Sequence, residues 1–67
     1  MFIVIELQKT GNTLAHLETT HATLEEAESK FYLVLSAAAV SSVPVHSAII
    51  VSEEGFPVRH ECYKHGE

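Results

Sequence analysis

Apolar residues fall in short runs separated by turn residues, and the period of each run predicts the element it forms. Phe2 to Leu7 is rich in β-branched and aromatic residues and reads as a strand buried on both faces. Lys9-Thr10-Gly11-Asn12 has turn chemistry, because Gly11 and Asn12 both tolerate positive φ. Thr13 to Thr19 alternates weakly, with Thr13, Ala15 and Leu17 on one side and Leu14, His16 and Glu18 on the other. It reads as a second strand hairpinned to the first, and its polarity places it at an edge of the sheet.

Thr23-Leu24-Glu25-Glu26 is a capping box: the Thr23 hydroxyl accepts an amide proton of the first turn while Glu26 reaches back to the cap amide. The glutamates that follow suit the positive end of a helix dipole. A helix is predicted from Leu24 to about Val40, ending before Pro44. Leu24, Ala27, Phe31, Val34, Leu35 and Ala38 lie on one face of it, at core spacing. A second stripe, Leu33, Ala37 and Val40, lies beside the first. One sheet needs one stripe, so the second is expected to contact another helix or subunit; the alternative is a broad core face over a strongly twisted sheet.

Val45 to Ser52 reads as a central strand, since Ile49-Ile50-Val51 is too continuous for a solvated edge. Glu53-Glu54-Gly55 is a hairpin turn, and Phe56 to His65 is the last strand. Its alternation sets Phe56, Val58, His60, Cys62 and Lys64 against Pro57, Arg59, Glu61, Tyr63 and His65. The predicted fold is α+β, in the order ββαββ: a four-stranded antiparallel sheet with one helix on one face, in a single domain over residues 1–67. The opposite face carries apolar groups of the first and third strands together with Tyr63, and needs a cover.

Composition sharpens that need. A chain of 67 residues buries only about 60% of its unfolded surface, so domains of this size lean on disulfides, metals or association. Cys62 is the single cysteine, so no disulfide forms within the chain, and a lone thiol fits a reducing cytoplasm. Association is the expected route, as a homo-oligomer. The net charge of −5 argues against binding duplex nucleic acid. Met1 to Ile5 and Phe31 to Val40 are too short for membrane spans, and no basic leader precedes the first. No membrane partner is expected.

The richest cluster of reactive side chains is His60-Glu61-Cys62-Tyr63-Lys64-His65. On a strand His60 and Cys62 share a face and His65 points away, and no CxxC or second cluster completes a zinc set, so no metal site is expected. Cys62 with His60 lacks an orienting acid, and a one-helix domain offers little concavity, so neither catalysis nor a cofactor is expected. Cys62 reads as a small buried hydrophobe. Arg59, Tyr63 and Lys64 bring a guanidinium, an aromatic plane and an ammonium onto one strand, groups suited to a phosphorylated or nucleobase ligand. His46, its direction fixed by Pro44, and His60 would add ring donors. Set against this ligand-binding set is ordinary cross-strand pairing of Arg59 with Glu6, Glu18 or Glu61.

The whole chain resembles very short uncharacterised proteins encoded by phages and prophages of gut Firmicutes. The likeness lies in the opening Met1 to Gln8, in Ala37-Ala38-Ala39-Val40-Ser41-Ser42-Val43-Pro44-Val45-His46, in Glu53-Glu54-Gly55-Phe56, and in Glu61-Cys62-Tyr63-Lys64-His65. The resemblance implies a source and no mechanism. Short phage proteins that assemble with pockets at subunit seams include sponges for cyclic-nucleotide immune signals, a likeness of size, source and assembly. The leading expectation is therefore a non-enzymatic homo-oligomer that holds a cyclic-nucleotide-type signal at a subunit interface, with an anti-defence role in the host cytoplasm. The alternative is an interaction module that binds a host or virion protein through the uncovered sheet face.

Overall fold

The computed structural model describes residues 1–66 and has the order β1 (Phe2–Thr10), β2 (Thr13–His21), α1 (Leu24–Ala39), β3 (Val45–Ser52) and β4 (Pro57–Lys64). The strands form one sheet in the order β2-β1-β3-β4, with every neighbouring pair antiparallel. The predicted α+β class and ββαββ order are what the chain adopts. The edge placing of β2 and the central placing of β3 hold as well.

The first hairpin is longer than its apolar residues indicate. Pairing runs from Phe2↔His21 to Thr10↔Thr13, so Lys9 lies within β1 and not in a turn. The loop is Gly11-Asn12, and of the two only Gly11 has positive φ, +60°. Glycine first with positive φ is the geometry of a type II′ hairpin, whose twist matches that of the flanking strands. In the second hairpin Gly55 takes φ +87° while its amide donates to the Ser52 carbonyl at 2.8 Å. The pairing of β3 and β4 shifts between Ile50↔Arg59 and Val51↔Pro57, a bulge that leaves Val58 without a register partner. The simple alternation of Phe56 and Val58 with His60 therefore breaks there.

Thr23 caps α1, its hydroxyl accepting the Glu26 amide proton at 3.2 Å. Glu26 reaches back one residue further than a capping box requires and accepts from the Ala22 amide at 3.3 Å. At the other end the Val40 amide turns to the carbonyls of Ala37 and Ala38. Ala27, Phe31, Val34 and Ala38 are buried on one side of α1. They meet Val4, Ala48 and Ile50 of the sheet, with Phe2, Leu24 and Leu35 partly buried around them. The small residues Ala27, Ala38 and Ala48 are completely buried, which lets the helix lie close to β1 and β3.

Candidate functional site

Strand alternation and the pairing register place each candidate side chain on one of the two sheet faces. Ile50 and Val4 belong to the core under α1, so His46 and Ala48 of β3, and Glu6 of β1, share that face. Through the β3–β4 register, Arg59, Glu61 and Tyr63 lie there too. His60, Cys62 and Lys64 lie on the opposite face. The five residues expected to surround a ligand are thus divided by the sheet.

Those under the helix have partners within the chain. The Arg59 Nε donates to Glu28 Oε2 of α1 at 2.8 Å. That hydrogen bond, and secondarily the nearby Tyr32, raises the guanidinium pKa further above its ordinary value. The partner is a helix residue and none of the strand glutamates. Tyr63 lies on the helix face, where the sequence had placed it opposite: its register partner is the buried His46, and its ring stacks on His65 at 6.1 Å, 6° from parallel. His65 in turn donates from Nε2 to the Ala38 carbonyl at 2.8 Å, and its amide donates to the Pro44 carbonyl at 2.7 Å. Tyr63 and His65 thus stitch the end of β4 to the C-terminal turn of α1, whose carbonyls lack partners within the helix.

His46 is buried, with 4% of its surface accessible. Its Nε2 donates to Glu6 Oε2 at 2.6 Å, and the Gln8 amide donates to the same oxygen at 3.1 Å. The other ring nitrogen, Nδ1, is buried with no hydrogen-bond partner among the described residues. Leaving a polar atom in that state costs about 1–3 kcal/mol. The reading of His46 as a ring donor for a ligand missed this pair. A Glu and a His at diagonal positions of adjacent central strands are visible only once the register is known.

Beside Arg59 a cleft of about 270 Å³ opens between α1 and β4. Phe31, Tyr32 and Leu35 of the helix line it, with Val58, Arg59 and His60 of the strand. It combines an aromatic ring with a guanidinium, but Glu28 holds that guanidinium and Glu61 adds a carboxylate to the lining.

The face away from α1 is of another kind. Ile3, Ile5 and Leu7 of β1 lie beside Val45, Ile49 and Val51 of β3, and the register sets Ile5 against Ile49 and Ile3 against Val51. All six are half-buried, shielded by lateral neighbours alone, and no other element among the described residues lies over them. Cys62 is half-buried at the β4 side of this patch, and His16, Glu18 and His60 flank it on the edge strands. The His16 ring bonds the Glu18 carboxylate within β2. Of the second helical stripe, Leu33 is 65% and Val40 87% exposed, and Ala37 is exposed between them.

Among the described residues no group of three His, Cys, Asp or Glu side chains is placed to hold a metal ion. No helix among them is long and apolar enough to cross a membrane. Comparison with family models, with curated proteins and with solved structures gives no match.

Proposed function

We propose that this chain is a small, non-enzymatic protein-interaction module of phage type, and that its working surface is the sheet face away from α1. The observation that supports this is the aliphatic patch of Ile3, Ile5, Leu7, Val45, Ile49 and Val51, half-buried, with no other element among the described residues lying over it. A soluble surface keeps its apolar residues scattered; a contiguous aliphatic centre with a polar border is the anatomy of an interface. The edge-strand groups His16, Glu18, His60 and Lys64 supply that border.

The reading is tested with an apolar dye that fluoresces on binding. At dilution the folded wild type binds it, and Ile5→Lys together with Ile49→Lys removes the signal while near-UV dichroism is kept. A folded, dilute wild type that leaves the dye dark overturns the reading.

The second reading is a homo-oligomeric sponge for a cyclic-nucleotide-type signal. The cleft beside Arg59 favours it, because Tyr32 could stack a base while the guanidinium meets a phosphate. A ligand there must displace Glu28 from Arg59. Calorimetry with cyclic di- and trinucleotides decides: heat that disappears in Arg59→Ala supports the sponge, and no heat with wild type rejects it.

A further inference from the structure

We infer that the occupant of the open sheet face is a second copy of this chain, packed face to face with its strands reversed by a two-fold axis crossing them. The inference rests on the interaction reading and adds the identity and the orientation of the partner. Size is the first argument. The chain measures 33 × 21 × 15 Å, and strands of eight and nine residues place the sheet in its two longer dimensions. That footprint is comparable with the roughly 800 Å² each partner contributes to a standard interface.

The distribution of charge fixes the orientation. Lys9, Val45 and Lys64 are register partners at one end of the sheet, where Lys64 stands exposed on the edge of the open face. At the other end Phe2 pairs with Ser52, and the turn beyond it carries Glu54 together with Glu53, which the Met1 ammonium already pairs. The two ends of the face are thus marked by Lys64 and by Glu54. Two copies facing each other can align their ends or oppose them. Aligned, by an axis along the strands, β4 lies over β2 and β3 over β1 of the other copy, so Lys64 meets Leu14 and no acidic partner. Opposed, the end of β4 bearing Lys64 reaches the β3–β4 turn of the other copy, and like charges are kept apart.

The same rotation suits the centre of the face. Its axis passes between the row His16, Leu7, Ser47, Cys62 and the row Glu18, Ile5, Ile49, His60. Leu7 then lies over Ile5 of the second copy, Val45 over Val51, and His16 over Glu18. Each contact occurs twice, as a two-fold interface requires. Sheets packed this way keep their strands within about 30° of one another and about 10 Å apart, so the two helices form the outer layers.

Sedimentation equilibrium of the full chain, combined with charge reversal, tests both parts. Wild type is expected at twice the 7.4 kDa chain mass, dissociating on dilution. Lys64→Glu or Glu54→Lys alone should weaken association by about two- to fivefold per pair, applied twice by symmetry. The double reversal, Lys64→Glu with Glu54→Lys, should restore it. A dimer whose double reversal is no better than the sum of its single changes overturns the opposed orientation. A dimer that survives Ile49→Lys but dissociates with Ala37→Glu uses the helix stripe, and overturns the inference. A monomer at every concentration that still binds the apolar dye removes the second copy and leaves the interaction reading standing; a monomer that does not bind it removes both.

Discussion

Under α1, Val4, Ala48 and Ile50 meet Ala27, Phe31, Val34 and Ala38 and are lost from solvent. One residue out of phase on the same two strands, Ile3, Ile5, Leu7, Ile49 and Val51 stop at half burial. On these two strands the open face carries the more aliphatic residues, and the polar company of the two faces differs as well. The covered face holds its polar groups inside, as Glu6 with His46 and Gln8, and as Arg59 with Glu28 at the margin. The open face places its charges at the ends and edges and keeps a mostly aliphatic centre around the small, buried Ser47. A helix pairs the first pattern locally; the second asks for a surface with the same pattern reversed, the role inferred above for a second copy.

The largest effect should come from the covered face. Phe31→Ala removes the aromatic anchor of the core and should cost about 3–5 kcal/mol, enough to unfold a domain this small. Denaturant titration checks it, and a midpoint close to wild type would mean that α1 does not seal the sheet. On the open face, Ile49→Lys should leave the monomer folded and abolish association. Its melting temperature should be the same at all protein concentrations, whereas that of wild type should rise with concentration. A wild-type melting temperature independent of concentration would contradict this contrast between the faces.

Smaller changes probe the edges of the covered face. Thr23→Ala should cost roughly 1 kcal/mol by leaving a first-turn amide without its acceptor; an unchanged denaturation midpoint would show that the Thr23 hydroxyl contributes nothing to α1. Arg59→Ala should lower the denaturation midpoint less than Thr23→Ala does, since the Glu28 pair is partly solvated. The Arg59 side chain is 46% exposed and that of Glu28 26%. A loss several times larger would place Arg59 inside the core in solution.

The elements were readable because each carries its own local signal. Thr23 and Glu26 announce α1, Gly11 and Gly55 the two hairpins, and the Ile49-Ile50-Val51 run the central β3. The polar partners were not readable, because they depend on register and on how the helix lies across the sheet. His46 with Glu6 joins residues 40 apart in sequence, and Arg59 with Glu28 residues 31 apart. Tyr63 was assigned to the wrong face for the same reason: alternation groups residues by side, but the side that faces the helix emerges only from packing. Within the ligand set, alternation alone already set Lys64 opposite Arg59 and Tyr63, to be joined across a subunit seam, and the register adds that His46 lies with Arg59 and Tyr63. The surplus helical stripe of Leu33, Ala37 and Val40 was legible as unused apolar surface, and it is exposed. A second apolar surface, of six half-buried aliphatic residues, lies on the other side of the sheet.

Cys62 offers the most direct test of that claim, because the single thiol of the chain sits half-buried on the open face and nowhere near α1. The rate of its reaction with a soluble thiol reagent should be measured across a wide range of protein concentration. If a second copy covers the face, the rate falls as concentration rises, and Ile49→Lys holds it at the fast, dilute value throughout. An identical rate in wild type at every concentration, equal to that of Ile49→Lys, would contradict the account.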